Sequence, residues 1–445
     1  MIQTIRNAWK VAELRNKLLF VVFALLIFRL GSAVPVPFID TNALSTYMNT
    51  QSATIFGLIN VMSGDAFAQA TLFALGIQPY INASIIIQLL TIAIPALERL
   101  AKDGGEEGKR KIEKITRYST VAIALIQAYG YYTLIKSYGV VANTSVWAAI
   151  VIILAFVAGS SFVMWLGEQI TEFGIGNGIS VILFAGIISR FPNAVQRMYT
   201  GVKNWANGVE ASDMSLVLHP AFIPVILIGM VAMVAFVVYI THAERRIPVQ
   251  YAKRVVGRKV YGGQSTHIPM KVNMSGVLPV IFAQSIASLP ATIGMFVPAA
   301  QEEGTGWYKF LEFFDNTGLV YSVIYLLLIV FFSYFYSTIQ FNPIEVANNL
   351  KKNGGFVPGF RPGKPTADFF AKVLGKITLF GAIFLGVIAI LPTITGNIMT
   401  ALGSNAGATF AIGGTSIIIV VGVALETVKA LEAQLMMRHY KGFLE

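Results

Sequence analysis

The sequence contains no cysteine and only four histidines among its 445 residues. Without thiols there is no disulfide framework, no thiolate nucleophile and no thiolate metal site. Charge is scarce as well. Asp, Glu, Lys and Arg together make up 12% of the chain, about half of the ~25% found in a soluble domain. So few charged groups cannot cover a water-soluble body of this size, and the chain reads as a membrane protein. No Walker A, GxSxG or HExxH run occurs, so no nucleotide, acyl-transfer or zinc chemistry is written in it. The four histidines, His219, His242, His267 and His439, fall in loops or near the ends of apolar runs. The scarce charges also avoid the middle of those runs. Arg29, Asp65, Lys376 and Glu426 sit near run ends or breaks and read as interfacial groups. That leaves no mid-membrane relay of the kind ion-coupled transporters carry.

What is present is apolar surface: 55% of residues are hydrophobic. A spanning helix needs ~20 mostly apolar residues. The sequence holds ten such runs, near 18–36, 71–94, 118–138, 146–167, 179–192, 220–240, 274–297, 318–340, 373–391 and 410–428. The first is followed by no small-residue cleavage site and reads as a span, not a signal peptide.

The net charge is +11, and its placement is ordered. Lys and Arg concentrate in the N-terminal tail, in loops 95–117, 241–273 and 341–372, and in the C-terminal tail. With ten spans all of these fall on one side. Segments 31–70 and 392–409 hold no Lys or Arg. The positive-inside rule therefore puts both termini in the cytoplasm.

Ten spans divide into two sets of five, and an odd set length makes the second set run inverted relative to the first. Matching spans of the two sets are broken alike. Span 2 is broken by Gly64, Gly76 and Pro79; span 7 by Gly276, Pro279, Pro290 and Gly294. Both carry polar residues: Gln78, Asn82, Ser84 and Gln88 in span 2, and Gln284, Ser285 and Ser288 in span 7. These form either ordinary interhelical hydrogen bonds or a seam that opens and tolerates water. Ahead of span 2, residues 55–70 are apolar but too short to cross. They read as a re-entrant half-helix or as an amphipathic helix on the outer surface.

Two basic loops stand out. Loop 241–273 holds Arg245, Arg246, Lys253, Arg254, Arg258, Lys259 and Lys271 against Glu244 alone, with Tyr251 among them. Its tip is expected at Ile247-Pro248-Val249-Gln250. Loop 341–372 carries GGFVPGFRPGK over 354–364. Gly and Pro fix a backbone path, which would present Arg361 at a defined place. Basic loops with embedded aromatics suit RNA phosphate or an acidic protein surface; simple topology charge is the alternative.

At this point the residues resemble a known family. Residues 74–90, ALGIQPYINASIIIQLL, are similar to the second transmembrane helix of the SecY family, the central subunits of bacterial protein-conducting channels. WLGEQITE at 165–172 with GIGNGIS at 174–180, PGFRPG at 358–363 and GGTS at 413–416 match further segments in order. The resemblance implies an all-α membrane protein with ten transmembrane helices in two inverted halves, 1–200 and 201–445. The halves would surround an hourglass pore closed by a ring of Ile77, Ile81, Ile179, Leu183, Ile281 and Ile419. It implies a plug near 55–70 with Phe56, Asn60, Met62, Ser63 and Gly64. It implies a lateral gate with Asn82, Gln88, Gln284 and Ser285. Tyr251, Lys253, Arg254 and Arg361 would contact the SecA motor or the ribosome. The implied partners are the small subunits SecE and SecG, SecA, the ribosome, signal-sequence-bearing polypeptides and the lipid bilayer. The implied location is the bacterial plasma membrane, with no cofactor and no catalysis. A secondary transporter of a small solute would share the spans and the broken helices, but it needs a midplane solute site.

Overall fold

The computed structural model describes residues 2–50, 60, 63–207, 222–251, 254–256, 259–261, 265–274, 276–297, 305–313, 318–401 and 414–441. Helices occupy each of the ten places where the hydropathy puts a span. They are α2 (Ala12–Gly31), α4 (Gln78–Ala93), α6 (Gly105–Ser137), α7 (Val146–Phe173), α8 (Gly178–Ile188), α10 (Phe222–His242), α11 (Leu278–Ala287), α14 (Leu319–Gln340), α16 (Lys364–Ala401) and α17 (Gly414–Lys441). Shorter helices lie between them: α1 (Ile2–Lys10), α3 (Thr41–Thr50), α5 (Pro95–Lys102), α9 (Phe191–Ala206), α12 (Leu289–Gly294), α13 (Gly306–Phe313) and α15 (Pro343–Lys352). Among the described residues, four helical stretches are long and apolar enough to cross a membrane by themselves: Val146–Phe173, Gly178–Ala206, Val320–Lys352 and Lys364–Leu391.

Helix ends follow local chemistry. Asn177 accepts hydrogen bonds from the backbone N–H groups of Ile179 and Ser180 and caps α8; Ser145 caps α7 in the same way. Gly178 is where α8 crosses α7. A Cβ there would stand 2.0 Å from the Gly167 carbonyl oxygen. Helix α4 ends at Ile94, and α5 leaves at an angle of 101°. Ile94 precedes Pro95, which excludes it from the helical region, and its φ and ψ of −108° and 111° are extended.

Two expectations need correction. Span 2 does not start as a helix at residue 71. Residues 64–77 form turns and a single bridge, and α4 begins only at Gln78. The backbone of this stretch is claimed by neighbours. The Leu72 N–H donates to the Val34 carbonyl at 2.9 Å, the Val36 N–H to Ala70 at 3.1 Å, and the Ser160 hydroxyl to Gly76 at 3.1 Å. Gly76 lies at φ +52° and Pro79 supplies a helix start. Around the expected plug, the described Asn60 and Ser63 are helical and residues 64–70 form turns; Phe56 and Met62 lie outside the described residues.

The second correction concerns the basic loops, which are not irregular. Strand β1 (Glu244–Tyr251) pairs antiparallel with β4 (Ser265–Lys271), from Glu244 opposite Lys271 to Gln250 opposite Ser265. Strands β2 (Arg254–Val256) and β3 (Lys259–Tyr261) form a separate hairpin between them. Strand β5 (Gly355–Phe356), from the second basic loop, adds to the other edge of β1. Residues 247–250 thus lie inside β1 and are not a tip. An apolar core of Ile247, Val249, Met270, Leu350, Val357 and Phe370 joins the two loops into one body. The chain is mostly helical, and this region adds five short strands to it.

Candidate functional site

The two broken helices start in the same way. Gly76 at φ +52° stands three residues before Pro79, and Gly276 at φ +65° three residues before Pro279. In each case a left-handed glycine turns the chain and a proline seeds the helix that follows. Helices α4 and α11 then pack against each other. The Gln78 amide donates to the Ser285 hydroxyl across the seam at 3.5 Å. Gln78, Asn82, Gln284 and Ser285 are all buried there. Two acceptors at this seam, Gln78 Oε1 and Gln284 Oε1, are buried with no hydrogen-bond partner among the described residues. A buried, unpaired amide oxygen costs ~1–3 kcal/mol, so the packed seam is polar and incompletely satisfied. Of the expected gate residues, Asn82, Gln284 and Ser285 lie buried on these two helices. Gln88 stands apart: its amide donates to Ser84 on its own helix at 3.3 Å. Gln78, the residue that makes the cross-seam bond, was visible in sequence as a polar group in span 2 but was not among the expected gate residues.

The six expected ring residues come from four helices. Ile77 is the N-cap residue of α4 and Ile81 lies one turn on; the Ile81 N–H donates to the Ile77 carbonyl at 3.1 Å. Ile179 and Leu183 lie on α8, Ile281 on α11 and Ile419 on α17. All six belong to one apolar cluster, where Ile179 is half-buried and the others are buried. The cluster draws on residues of both 1–200 and 201–445 and carries no charged side chain. Such a body excludes water by default.

Next to it lies the described part of the expected plug. Asn60, Ser63 and Gly64 form a knot of local hydrogen bonds. The Ala68 N–H donates to Asn60 Oδ1 at 2.8 Å, Ser63 Oγ to the Asn60 carbonyl at 3.1 Å, and the Phe67 N–H to Ser63 Oγ at 3.0 Å. The buried Tyr131 hydroxyl hydrogen-bonds the Phe67 carbonyl. Gly64, at φ +66°, rests on α8: a Cβ there would stand 3.0 Å from the Gly186 carbonyl oxygen. Phe73 stacks between Phe28 of α2 at 6.0 Å and Phe162 of α7 at 5.8 Å.

The expected docking residues lie on the β-bearing body. Tyr251 is half-buried at the end of β1, opposite Gly355. Arg254 lies in β2, and Lys253 lies outside the described residues. Arg361 is exposed between Gly359 at φ +87° and Gly363 at φ +105°. Its carbonyl accepts from Thr366 Oγ1 at 2.8 Å, and the preceding Phe360 packs on Phe369 at 4.2 Å. Two left-handed glycines thus flank the residue that carries the guanidinium.

The SecY family model matches residues 71–428. A protein translocase subunit SecY of Streptomyces galbus is 44% identical over 461 residues, with all of both chains covered. The chain belongs to the SecY family. The SecY of Halalkalibacterium halodurans is 42% identical, again over the full length of both chains. Solved structures share the fold at lower identity. One described as a protein conducting channel has a TM-score of 0.64 at 19% identity, covering 94% of this chain and 92% of that one. Another, of a SecY whose plug domain is described as stabilising the closed channel, has 0.63 at 18%, with the same coverage. Sec61 from a canine ribosome–channel complex has 0.60 at 17%, also with that coverage. The chain is thus a multi-pass membrane protein of this channel fold.

Proposed function

We propose that this chain is the channel-forming subunit of a protein translocase. It passes unfolded secretory polypeptides across the bacterial plasma membrane and releases apolar segments sideways into lipid. Its halves are 1–200 and 201–445, and both termini are cytoplasmic. The observation that carries this reading is the apolar cluster holding Ile77, Ile81, Ile179, Leu183, Ile281 and Ile419, bordered by the broken pair α4 and α11. The cluster is the resting seal. An extended chain displaces it and is then gripped by the same aliphatic side chains. The seam between α4 and α11 is the side exit. Its unpaired amide oxygens gain partners when water or a signal peptide enters, which lowers the cost of parting the helices. SecE and SecG are the small membrane partners, and the β-bearing basic body receives SecA or the ribosome. The chain performs no covalent chemistry, and the energy comes from that docked partner.

The test is a photoreactive residue at Ile81, with a stalled secretory chain delivered by SecA or by ribosomes. A crosslink from Ile81 to the chain, absent from a probe at lipid-exposed Leu26, is the expected result. An engaged partner without a crosslink overturns the reading and returns the solute transporter to consideration. A second expectation concerns docking. Arg361→Glu reverses one rigidly presented charge and is expected to weaken SecA or ribosome binding at least tenfold in co-sedimentation, because losing a buried interfacial charge contact costs ~2–5 kcal/mol. The fold should not change, since the Arg361 side chain is exposed.

A further inference from the structure

The turn at residues 64–65 is held by two arginines that come from different helices. Asp65 occupies a left-handed conformation at φ +71°, a region that Asp and Asn tolerate better than other side chains. Its Oδ1 pairs with Arg190 Nε at 3.0 Å, and both side chains are mostly shielded, with relative exposures of 22% and 27%. The same Oδ1 accepts from Asn60 Nδ2 at 2.9 Å, and the Asp65 N–H donates to the Asn60 carbonyl at 3.0 Å. Arg190 is the N-cap residue of α9, at the corner where α8 ends. From the other side, Arg29, near the end of α2, directs Nη1 at the Gly64 carbonyl at 3.4 Å. Between them Gly64 lies against Gly186 and Ser189 so closely that no Cβ fits. Arg29 and Asp65 read in sequence as isolated interfacial charges; in the fold they belong to one assembly.

We infer that Arg190 and Arg29 form an ionic latch that grips the Gly64–Asp65 turn and biases the channel toward its sealed state. The inference rests on the channel reading, in which this turn belongs to the plug. Everything the latch touches at that turn, α2, the α8–α9 corner and Asn60, belongs to residues 1–200. The latch therefore docks the turn onto one side of the waist and leaves α11 and α17 free to move away from it. A shielded ion pair of this kind is a modest device, not a lock. Losing it is expected to raise the idle open probability about fivefold, equivalent to ~1 kcal/mol at 1.4 kcal/mol per tenfold. That suffices to change how strong a signal sequence must be to open the channel, without destroying the seal.

The test is a double-mutant cycle in the full chain, purified with its co-isolated subunits and reconstituted in planar bilayers. Asp65→Asn keeps the size, the left-handed tolerance and the acceptor for Asn60, and removes only the charge. Arg190→Gln removes the partner. Each variant is expected to raise idle conductance about fivefold, and the double variant no further, because both remove one interaction. Arg190→Lys is expected to restore most of the seal, and both charge-removing variants to export a precursor with a weakened signal sequence. Additive effects, or no effect of either variant while Ile81→Asn conducts, would overturn the latch and leave the channel reading in place. If Ile81→Asn is silent too, the channel reading fails and takes the latch with it.

Discussion

Ile81→Asn is expected to raise the idle ion conductance of the reconstituted channel about 30-fold. Ile81 is 3% exposed, inside the apolar cluster. Burying an Ile side chain is worth ~1.5–3 kcal/mol relative to leaving it in water. An amide at the same place removes that penalty for wetting and adds hydrogen bonds to the water that enters. A shift of ~2 kcal/mol in the balance between a dry and a wet waist is about 30-fold in population. Narrow aliphatic constrictions gate by that balance. The control is Ile86→Asn on the same helix. Ile86 is 45% exposed and points away from the cluster, so its replacement should leave conductance unchanged. Single-channel recording separates the two. A silent Ile81→Asn, or equal conductance from both variants, means that the water barrier is built elsewhere. Paired substitution with Ile281→Asn should exceed either alone, because the two side chains lie on different helices of one cluster.

The parts of the fold that were legible in the sequence are those set by local chemistry and by hydropathy. Helix α8 lies where the apolar run near 179–192 puts a span. The matched breaks in α4 and α11 follow from Gly76, Pro79, Gly276 and Pro279. The rigid presentation of Arg361 follows from its flanking glycines and prolines. What was misread was set by contacts distant in sequence. Phe73, Ala74 and Leu75 continue the apolar run of α4, yet they are not helical. The backbone on either side of them is held from a distance, at Leu72 by Val34 and at Gly76 by Ser160, which no local pattern announces. The β1 strand is a different kind of miss. Its inward residues Ile247 and Val249 alternate with exposed neighbours, the period of a half-buried strand. The signal was in the sequence, masked by the density of charge around it. Arg190 was passed over because a cation at the end of an apolar run has an ordinary interfacial explanation. Only the chain reversal at Gly64 brings Asp65 to it.

The second large effect concerns stability, and it turns on the same chain reversal. Gly159→Ala is expected to destabilise the folded channel by about 3 kcal/mol or more, whereas Gly375→Ala should be neutral or slightly stabilising. Both glycines lie inside long helices, α7 and α16, where alanine is the better helix former by roughly 1 kcal/mol. At Gly375 a Cβ meets no atom within 4 Å, so the helical preference is all that changes. At Gly159 a Cβ would stand 1.9 Å from the Leu72 carbonyl oxygen. That oxygen is backbone and cannot rotate away. The turn segment it belongs to is fixed on its other side by the Leu72 N–H to Val34 bond at 2.9 Å. Relief therefore requires α7 to shift or residues 70–77 to lift, and overpacking against an immobile neighbour costs ~1–3 kcal/mol or more. The same displacement would carry Ile77 and the start of α4 with it, so a surviving Gly159→Ala protein should also leak. Thermal unfolding in detergent, followed by near-ultraviolet circular dichroism, is the measurement. A Gly159→Ala midpoint equal to that of Gly375→Ala would mean that residues 70–77 are not pressed against α7. The waist would then need another support than the one that α2, α7 and the turn before α4 provide here.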